Sequence, residues 1–287
     1  MVVCGRPITI TGGHMWQMGA EADGVAEVRH AVRVLIKEGA DWIKAPATGG
    51  STRTSSPYRP SFSLDELRAL VDEAHLFGKL VGTHCLSTTG IINSLDAGVD
   101  MIIHGQMKEL DGSWKFRPDV AERIAREGVV VNPTLHIGRA RLWAIQRSAD
   151  EGAVAPVQYG AEQWDLARAA SQSESQLEIA RLLLDAGVRM IAGSDAGFGW
   201  YPMGQLWREL ECFSQIGMSR PAALLSSTRD GAAAIGVSQF TGTLEPAKEA
   251  DLLVVEGNPA DDLGALAHVL AVFQGGAEVE RQDSRAH

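Results

Sequence analysis

Two rhythms of apolar positions alternate along this chain. Apolar residues three and four apart, the spacing of one helix face, run up to a glycine, and a short run of nearly all apolar residues follows directly. The pattern recurs in VRHAVRVLIKEGADWIKA, LRALVDEAHLFGKLVGTH, INSLDAGVDMIIHG, VAERIAREGVVVNPT and LEIARLLLDAGVRMIAGSD. The glycines at these junctions, Gly39, Gly78, Gly98, Gly128 and Gly187, can take the left-handed conformation that ends a helix. The runs after them lack polar/apolar alternation, as expected of parallel strands covered by helices on both faces. With an earlier strand, PITIT at 7–11, the alternation predicts an α/β fold, read as a β/α-barrel segment.

Local signals agree. Ser63 and Glu66 form a capping-box pattern ahead of LRALVDEAHLF, and Pro118 stands where a helix begins. Residues 203–236 read as helical without a strand. The chain then changes character, with strand-like runs DLLVV and HVLAVFQ separated by turns. The expected organisation is a barrel domain over 1–239, a small β appendage over 240–280 and a frayed polar tail over 281–287. Two long irregular segments, 46–62 and 136–172, follow strand ends; the second is expected to include helices. Segments of that length in a compact domain are commonly functional.

Composition narrows the partners. The chain has 287 residues, a net charge of -10, 45% hydrophobic and 22% charged residues, which is ordinary for a globular protein. No basic run exists to meet a phosphate backbone, so nucleic acid is not an expected partner. No apolar run is long enough to span a membrane. The opening MVVCGRPITITGGH does not read as a signal peptide, and three cysteines form no disulfide framework. A reduced, cytoplasmic setting is expected.

Barrel enzymes build their sites at the C-terminal ends of strands. Lys44 ends DWIK, His84 ends LVGTH, His104 ends DMIIH and Asp195 ends MIAGSD. Any one alone has an ordinary explanation: a hydrogen-bonded histidine, a turn aspartate, a solvated lysine. Together, two imidazoles and a carboxylate at matched strand ends suit zinc or a similar divalent ion, one or two per chain. Such an ion activates water and polarises a carbonyl, and Asp195 could carry the proton to a leaving group. Lys44 as an ammonium is no ligand. It contributes either as a carbamate formed with carbon dioxide, which could bridge two metals, or as the salt-bridge partner of a carboxylate such as Asp195. A barrel enzyme using Lys44 as a Schiff base is a further alternative, but it leaves the histidines and the aspartate without a role. His14, after ITITGG, could line the pocket, although an ordinary structural role fits it too. Tyr58 and Arg59 on the long loop could contact a substrate carboxylate, and ATGGST at 47–52 offers backbone N–H groups to an anion.

At these residues the sequence resembles the amidohydrolase superfamily, closest to its imidazolonepropionase-like and prolidase-like branch. The resemblance runs in order through ITITGGH, ADWIKAPATGG, LVDEAHLFGKLVGTH, GVDMIIHG, VVNPTL, IAGSDAG and EADLLVVEGNPADDL. It implies a (β/α)8 TIM-type barrel with a small β-sandwich. It also implies hydrolysis of an amide, peptide or cyclic amide bond in a small molecule or short peptide by metal-bound hydroxide. By position, Lys44 would be the carboxylated lysine, His84 and His104 metal ligands, and Asp195 a metal-associated proton shuttle. Two departures stand out. The family's first strand ends in a His-x-His pair and this sequence has none, so PITIT matches the third barrel strand, and two strands, two ligands and half the sandwich are expected to be missing. In EPAKEADL the family usually has a glycine where Ala247 stands. Open sheet edges would favour a homo-oligomer. A catalytically silent remnant serving as a binding or structural module is the alternative to an enzyme.

Overall fold

The computed structural model describes residues 1–150, 166–197 and 200–280. In chain order the strands are β1 (Ile8–Thr9), β2 (Ala20–Glu21), β3 (Trp42–Pro46), β4 (Leu80–His84), β5 (Met101–Ile103), β6 (Val130–Asn132), β7 (Leu252–Val255), β8 (Val269–Gln274) and β9 (Ala277–Glu278). The helices are α1 (Gly24–Lys37), α2 (Leu64–Leu76), α3 (Thr88–Ala97), α4 (Pro118–Glu127), α5 (Leu135–Asp150), α6 (Leu166–Asp185), α7 (Trp207–Gln215), α8 (Arg220–Ser227) and α9 (Arg229–Ala234). The chain divides into two compact units, one over Met1–Met203 and one beginning at Gly204.

The first unit is the β/α repeat expected from the sequence. Strands β3, β4, β5 and β6 form one parallel sheet in that order. The all-apolar runs have the predicted reason: Ile43, Val81, Ile102 and Val131 are each fully buried on the side facing the helices. Burial of each is worth about 1.5–3 kcal/mol. Helix α1 turns Val28, Ala31, Val32 and Leu35 inward, and α2 turns Leu67, Leu70, Val71 and Ala74 inward. All five junction glycines have the expected positive φ, from 66° at Gly78 to 95° at Gly39. The capping box at Ser63 and Glu66 is complete, and Pro118 opens α4.

Two expectations need correction. PITIT forms only a two-residue strand, Ile8–Thr9, paired in parallel with an unforeseen partner, Ala20–Glu21. The stretch before Asp195 forms no named strand. It continues the parallel order at one bridge, Met190 beside Val131, where Val131 N–H donates to the Arg189 carbonyl (2.9 Å) and Ile191 N–H to the Val131 carbonyl (3.0 Å). The 46–62 segment is ordered: Thr48 pairs antiparallel with Pro60, and Ser61 N–H donates to the Ala47 carbonyl (2.8 Å), which closes it as a compact loop. The 136–172 segment is mostly helix where described. Residues 151–165 of it lie outside the described residues, as does the 281–287 tail.

The second unit contains α7 to α9 and an antiparallel sheet of β7, β8 and β9. Leu210 and Phe213 of α7 and Leu263 and Ala265 of a short 3-10 turn are buried. One backbone feature bears on the sequence: Ala247, where a glycine is the usual residue, has a φ of 70°.

Candidate active site

The register of the sheet sets which side chains share a face. Lys44 pairs with Gly82, Gly82 with Met101, Pro46 with His84, His84 with Ile103, and Ile103 with Asn132. Side chains alternate along a strand, so Lys44 and His84 lie on one face, opposite Ile43 and Val81. Gly82 between them leaves space where a side chain would stand beside Lys44. His104 follows β5 with a φ of 72°, and its N–H donates to the Asn132 carbonyl (2.8 Å). Asp195 also has a left-handed backbone, φ 51°. Each such conformation costs roughly 1–3 kcal/mol, and two of them here aim side chains away from the strand line.

Three histidine rings cluster at the centre, His14 tilted against His84 and His84 edge-on to His104. The His14 ring lies 4.5 Å from the His84 ring, and the His84 ring 4.5 Å from that of His104. Each is fixed by a partner. His14 Nδ1 meets the Thr52 hydroxyl at 2.9 Å, and His104 Nδ1 meets the Thr134 hydroxyl at 2.6 Å. His84 Nε2–H donates to the Gly49 carbonyl at 3.3 Å. A carbonyl only accepts, so His84 carries its proton on Nε2 and presents a lone pair on Nδ1. The same logic leaves His104 Nε2 as its ligand nitrogen when Nδ1 holds the proton. Glycine at position 50 lets the 46–62 loop lie on the His14 ring, where a β-carbon would collide with it.

All these rings are neutral at neutral pH. Burial is the largest cause in each case. It brings His14 to about 4, with the Lys44 charge adding to the effect. His84 is pushed well below its ordinary value by burial and then by His104, His14 and Lys44. His104 is lowered likewise by burial, then Lys44, His14, Lys108 and Arg141. Burial also brings Lys44 down to about 8, against the attraction of Asp195 and smaller pulls from Cys85 and Cys4. Asp195 is raised by burial, against Lys44 and Arg141. Its residue surface is open to solvent while the surrounding protein still desolvates the carboxyl. Lys44 and Asp195 are thus both driven toward neutrality, so burial outweighs their mutual attraction.

Two neutral, hydrogen-bonded imidazoles are what a divalent ion requires of its nitrogen ligands. Among the described residues, however, no group of three or more His, Cys, Asp or Glu side chains is arranged to hold a metal. The donor chemistry therefore fits a metal as a pair, His84 with His104. A third ligand from this set must come from Lys44, which qualifies only after losing its positive charge.

The other candidates divide. His14 joins the cluster. Tyr58 lies against Gly112, and Arg59 is exposed, its backbone N–H donating to the Ser56 carbonyl. Thr52, in the ATGGST run read as an anion site, holds the His14 ring instead, and sequence reasoning gave no role to Thr134, which fixes the His104 ring, or to Asn132, which shares the His84 face. Asn132 packs against Gly193, and its buried Oδ1 has no hydrogen-bond partner among the described residues. Its position at the end of VVN was the available signal, since a polar residue ending an apolar strand needs a partner or a function.

The sequence model of the Amidohydrolase family matches residues 1–279. The chain belongs to the amidohydrolase family. Ochratoxinase of Aspergillus niger is 29% identical over 254 residues, 88% of this chain and 48% of that protein. Imidazolonepropionase of Geobacillus kaustophilus is 33% identical over 121 residues, 42% of this chain and 26% of that protein. The crystal structure of a Xaa-Pro dipeptidase with bound methionine in the active site superposes with a TM-score of 0.80 at 27% identity, covering 98% of this chain and 68% of that one. The chain spans about half the length of the ochratoxinase it matches. These likenesses bear out the prolidase-like and imidazolonepropionase-like resemblance and the α/β barrel fold with its small antiparallel sheet.

Proposed function

We propose that this chain carries the catalytic face of a metal-dependent amidohydrolase that cleaves a C–N bond in a dipeptide, an acylated amino acid or a cyclic amide. The observation that carries the reading is the convergence of two neutral imidazoles, His84 and His104, with their outer nitrogens already hydrogen-bonded, beside a lysine and a carboxyl group that burial drives toward neutrality. The Xaa-Pro dipeptidase likeness supports a dipeptidase- or carboxypeptidase-like form of it.

His84 Nδ1 and His104 Nε2 would hold zinc or a similar divalent ion, with one or two ions per chain. Lys44 would join as a carbamate, since a buried amine brought to about 8 has a larger unprotonated fraction near neutral pH to react with carbon dioxide than an ordinary lysine. A bound ion supplies an activated water and polarises the scissile carbonyl. Asp195, raised by burial, takes the proton of the attacking water and delivers it to the leaving nitrogen. His14 buttresses the His84 ring and closes one wall, while Tyr58 and Arg59 of the 46–62 loop are the proposed substrate contacts.

A zinc-loaded chain is expected to hydrolyse dipeptides or N-acyl amino acids, with hydrolysis lost in Asp195→Asn while metal content is kept. Turnover that survives Asp195→Asn rejects the role of Asp195. A folded chain that neither retains metal nor turns over any such amide favours the rival reading, a catalytically silent binding module. The lack of a third His, Cys, Asp or Glu ligand among the described residues is what favours that rival.

A further inference from the structure

Asn132 is the last residue of β6, and its backbone is tied to the histidine cluster: its carbonyl accepts from His104 N–H (2.8 Å). The register of His84 with Ile103 and of Ile103 with Asn132 turns its side chain to the same face as His84. On the other side of β6, Val131 pairs with Met190, which brings Gly193 alongside. A β-carbon at Gly193 would collide with Asn132 Nδ2 and stand 2.8 Å from Oδ1. The amide therefore lies on the bare backbone of Gly193, in space that a side chain there would fill. Asp195, the proposed proton shuttle, is two residues further along.

This amide lacks a partner. Its Oδ1 is buried and accepts no hydrogen bond among the described residues, an uncommon state for a buried polar atom. Donors around it are committed elsewhere. The Thr134 hydroxyl meets His104 Nδ1 (2.6 Å), and Gln176 Nε2 donates to the carbonyls of Pro133 (3.0 Å) and Thr134 (3.4 Å). Ser194 Oγ, next to Gly193 in the chain, accepts from Ala196 N–H (3.3 Å). An amide oxygen only accepts, so the missing partner is a donor. Asn132 as a whole keeps part of its surface open, and the Cβ–Cγ torsion of an asparagine is soft, so Oδ1 can turn to a ligand seated on the histidine face.

We infer that Asn132 is a substrate contact whose Oδ1 accepts the N–H of the scissile amide, so that the site selects secondary amides, such as N-acylglycines, over tertiary amides, whose nitrogen carries no hydrogen. This assignment rests on the hydrolase reading above and deepens it. In that reading Asp195 delivers its proton to the leaving nitrogen, and Asn132 lies beside the segment that carries Asp195. An N–H held on Oδ1 fixes the rotation of that nitrogen, so the lone pair freed as the carbonyl carbon becomes tetrahedral is available to Asp195. The C–N bond then breaks, the nitrogen takes the proton that came from water, and the original N–H leaves with the amine. A tertiary amide leaves Oδ1 unpaired and sets an alkyl group against it, and both effects count against binding.

The test is calorimetric binding of N-acetylglycine and N-acetylsarcosine, which carry the same charge and differ by one N-methyl group, to the full chain in excess zinc. Asp195→Ala is the background, so that neither probe is consumed and no new N–H is placed beside Asn132. N-acetylglycine is expected to bind at least about tenfold more tightly. In Asn132→Leu, which keeps the volume and removes the acceptor, the preference should fall within about twofold. In Asn132→Asp, which keeps an acceptor oxygen, it should persist. Without ligand, Asn132→Leu is expected to melt no lower than its parent, because it removes a buried oxygen that has no partner. Equal affinity for the two probes, no measurable binding of either, a preference that survives in Asn132→Leu, or one that is lost in Asn132→Asp would each overturn the proposal. So would a lower melting temperature in Asn132→Leu, since the amide would then be paired within the fold. Turnover is measured separately, with Asp195 intact: an Asn132-dependent preference for N-acetylglycine without hydrolysis leaves the contact standing and removes only the hydrolase reading.

Discussion

The three clustered histidines make this fold acid-sensitive in a window set by their own chemistry. All three have folded pKa values below the ordinary 6.5. Between the folded and ordinary values the unfolded chain binds more protons than the folded one, so stability rises with pH there. It is fully present above pH 6.5 and is lost as pH falls toward the folded values. For His14 the drop from 6.5 to about 4 is worth about 3 kcal/mol, all of it gone below pH 4. His84 and His104 shift in the same direction, and a domain has only about 5–15 kcal/mol to lose. The lowered carboxylates, such as Glu73 held by Arg33 and Arg29, lose their contribution only at lower pH, below the carboxylate range. Asp195, raised by burial, works the other way and softens the loss. Urea midpoints of chelator-treated protein, measured from pH 7.5 to 4.5, are expected to fall steeply below pH 6.5. In His14→Gln the fall should be shallower by about one proton, or about 1.4 kcal/mol per pH unit. A midpoint that stays flat down to pH 5 would refute the argument, because it would mean that the rings take up protons in the folded state without penalty.

Two further outcomes follow from single contacts. Thr134→Val keeps the shape of the side chain but leaves His104 Nδ1 without its hydroxyl partner. Zinc affinity measured by competition with a chelating dye should fall about 10–100-fold, and unchanged affinity would show that the threonine does not orient the ring. Ala247→Gly removes a β-carbon from an exposed residue with a φ of 70°. The relieved strain, roughly 1–2 kcal/mol, exceeds the entropy that glycine restores to the unfolded chain, roughly 0.4–1 kcal/mol. A higher thermal midpoint by a degree or more is expected, and a lower one would place the strain elsewhere.

Much of the fold was legible because its signals are local. A glycine after an amphipathic helix ends it whatever surrounds it, and Gly98 and Gly128 do so with φ of 82° and 71°. Ser63 and Glu66 needed only each other. The unalternating runs at 42–46 and 80–84 declared a parallel sheet because both faces must be apolar. His84 ends β4 and His104 follows β5, as the same runs suggested, whereas Lys44 lies in the middle of β3, which runs on to Pro46. Less of PITIT formed a strand than its composition promised, because pairing depends on which neighbour is available, and here that neighbour was Ala20–Glu21.

What tertiary structure alone decided was proximity between residues distant in sequence. No periodicity says that the His14 ring lies against His84 or that Thr134 holds His104. Those contacts depend on the sheet register and on a loop that folds back at Thr48 and Pro60. Charge state is set by burial and by neighbours across the fold, and neither is written in the order of the residues. The chain order determined which chemical groups would stand at the strand ends; packing determined which of them are neutral and which are held in place.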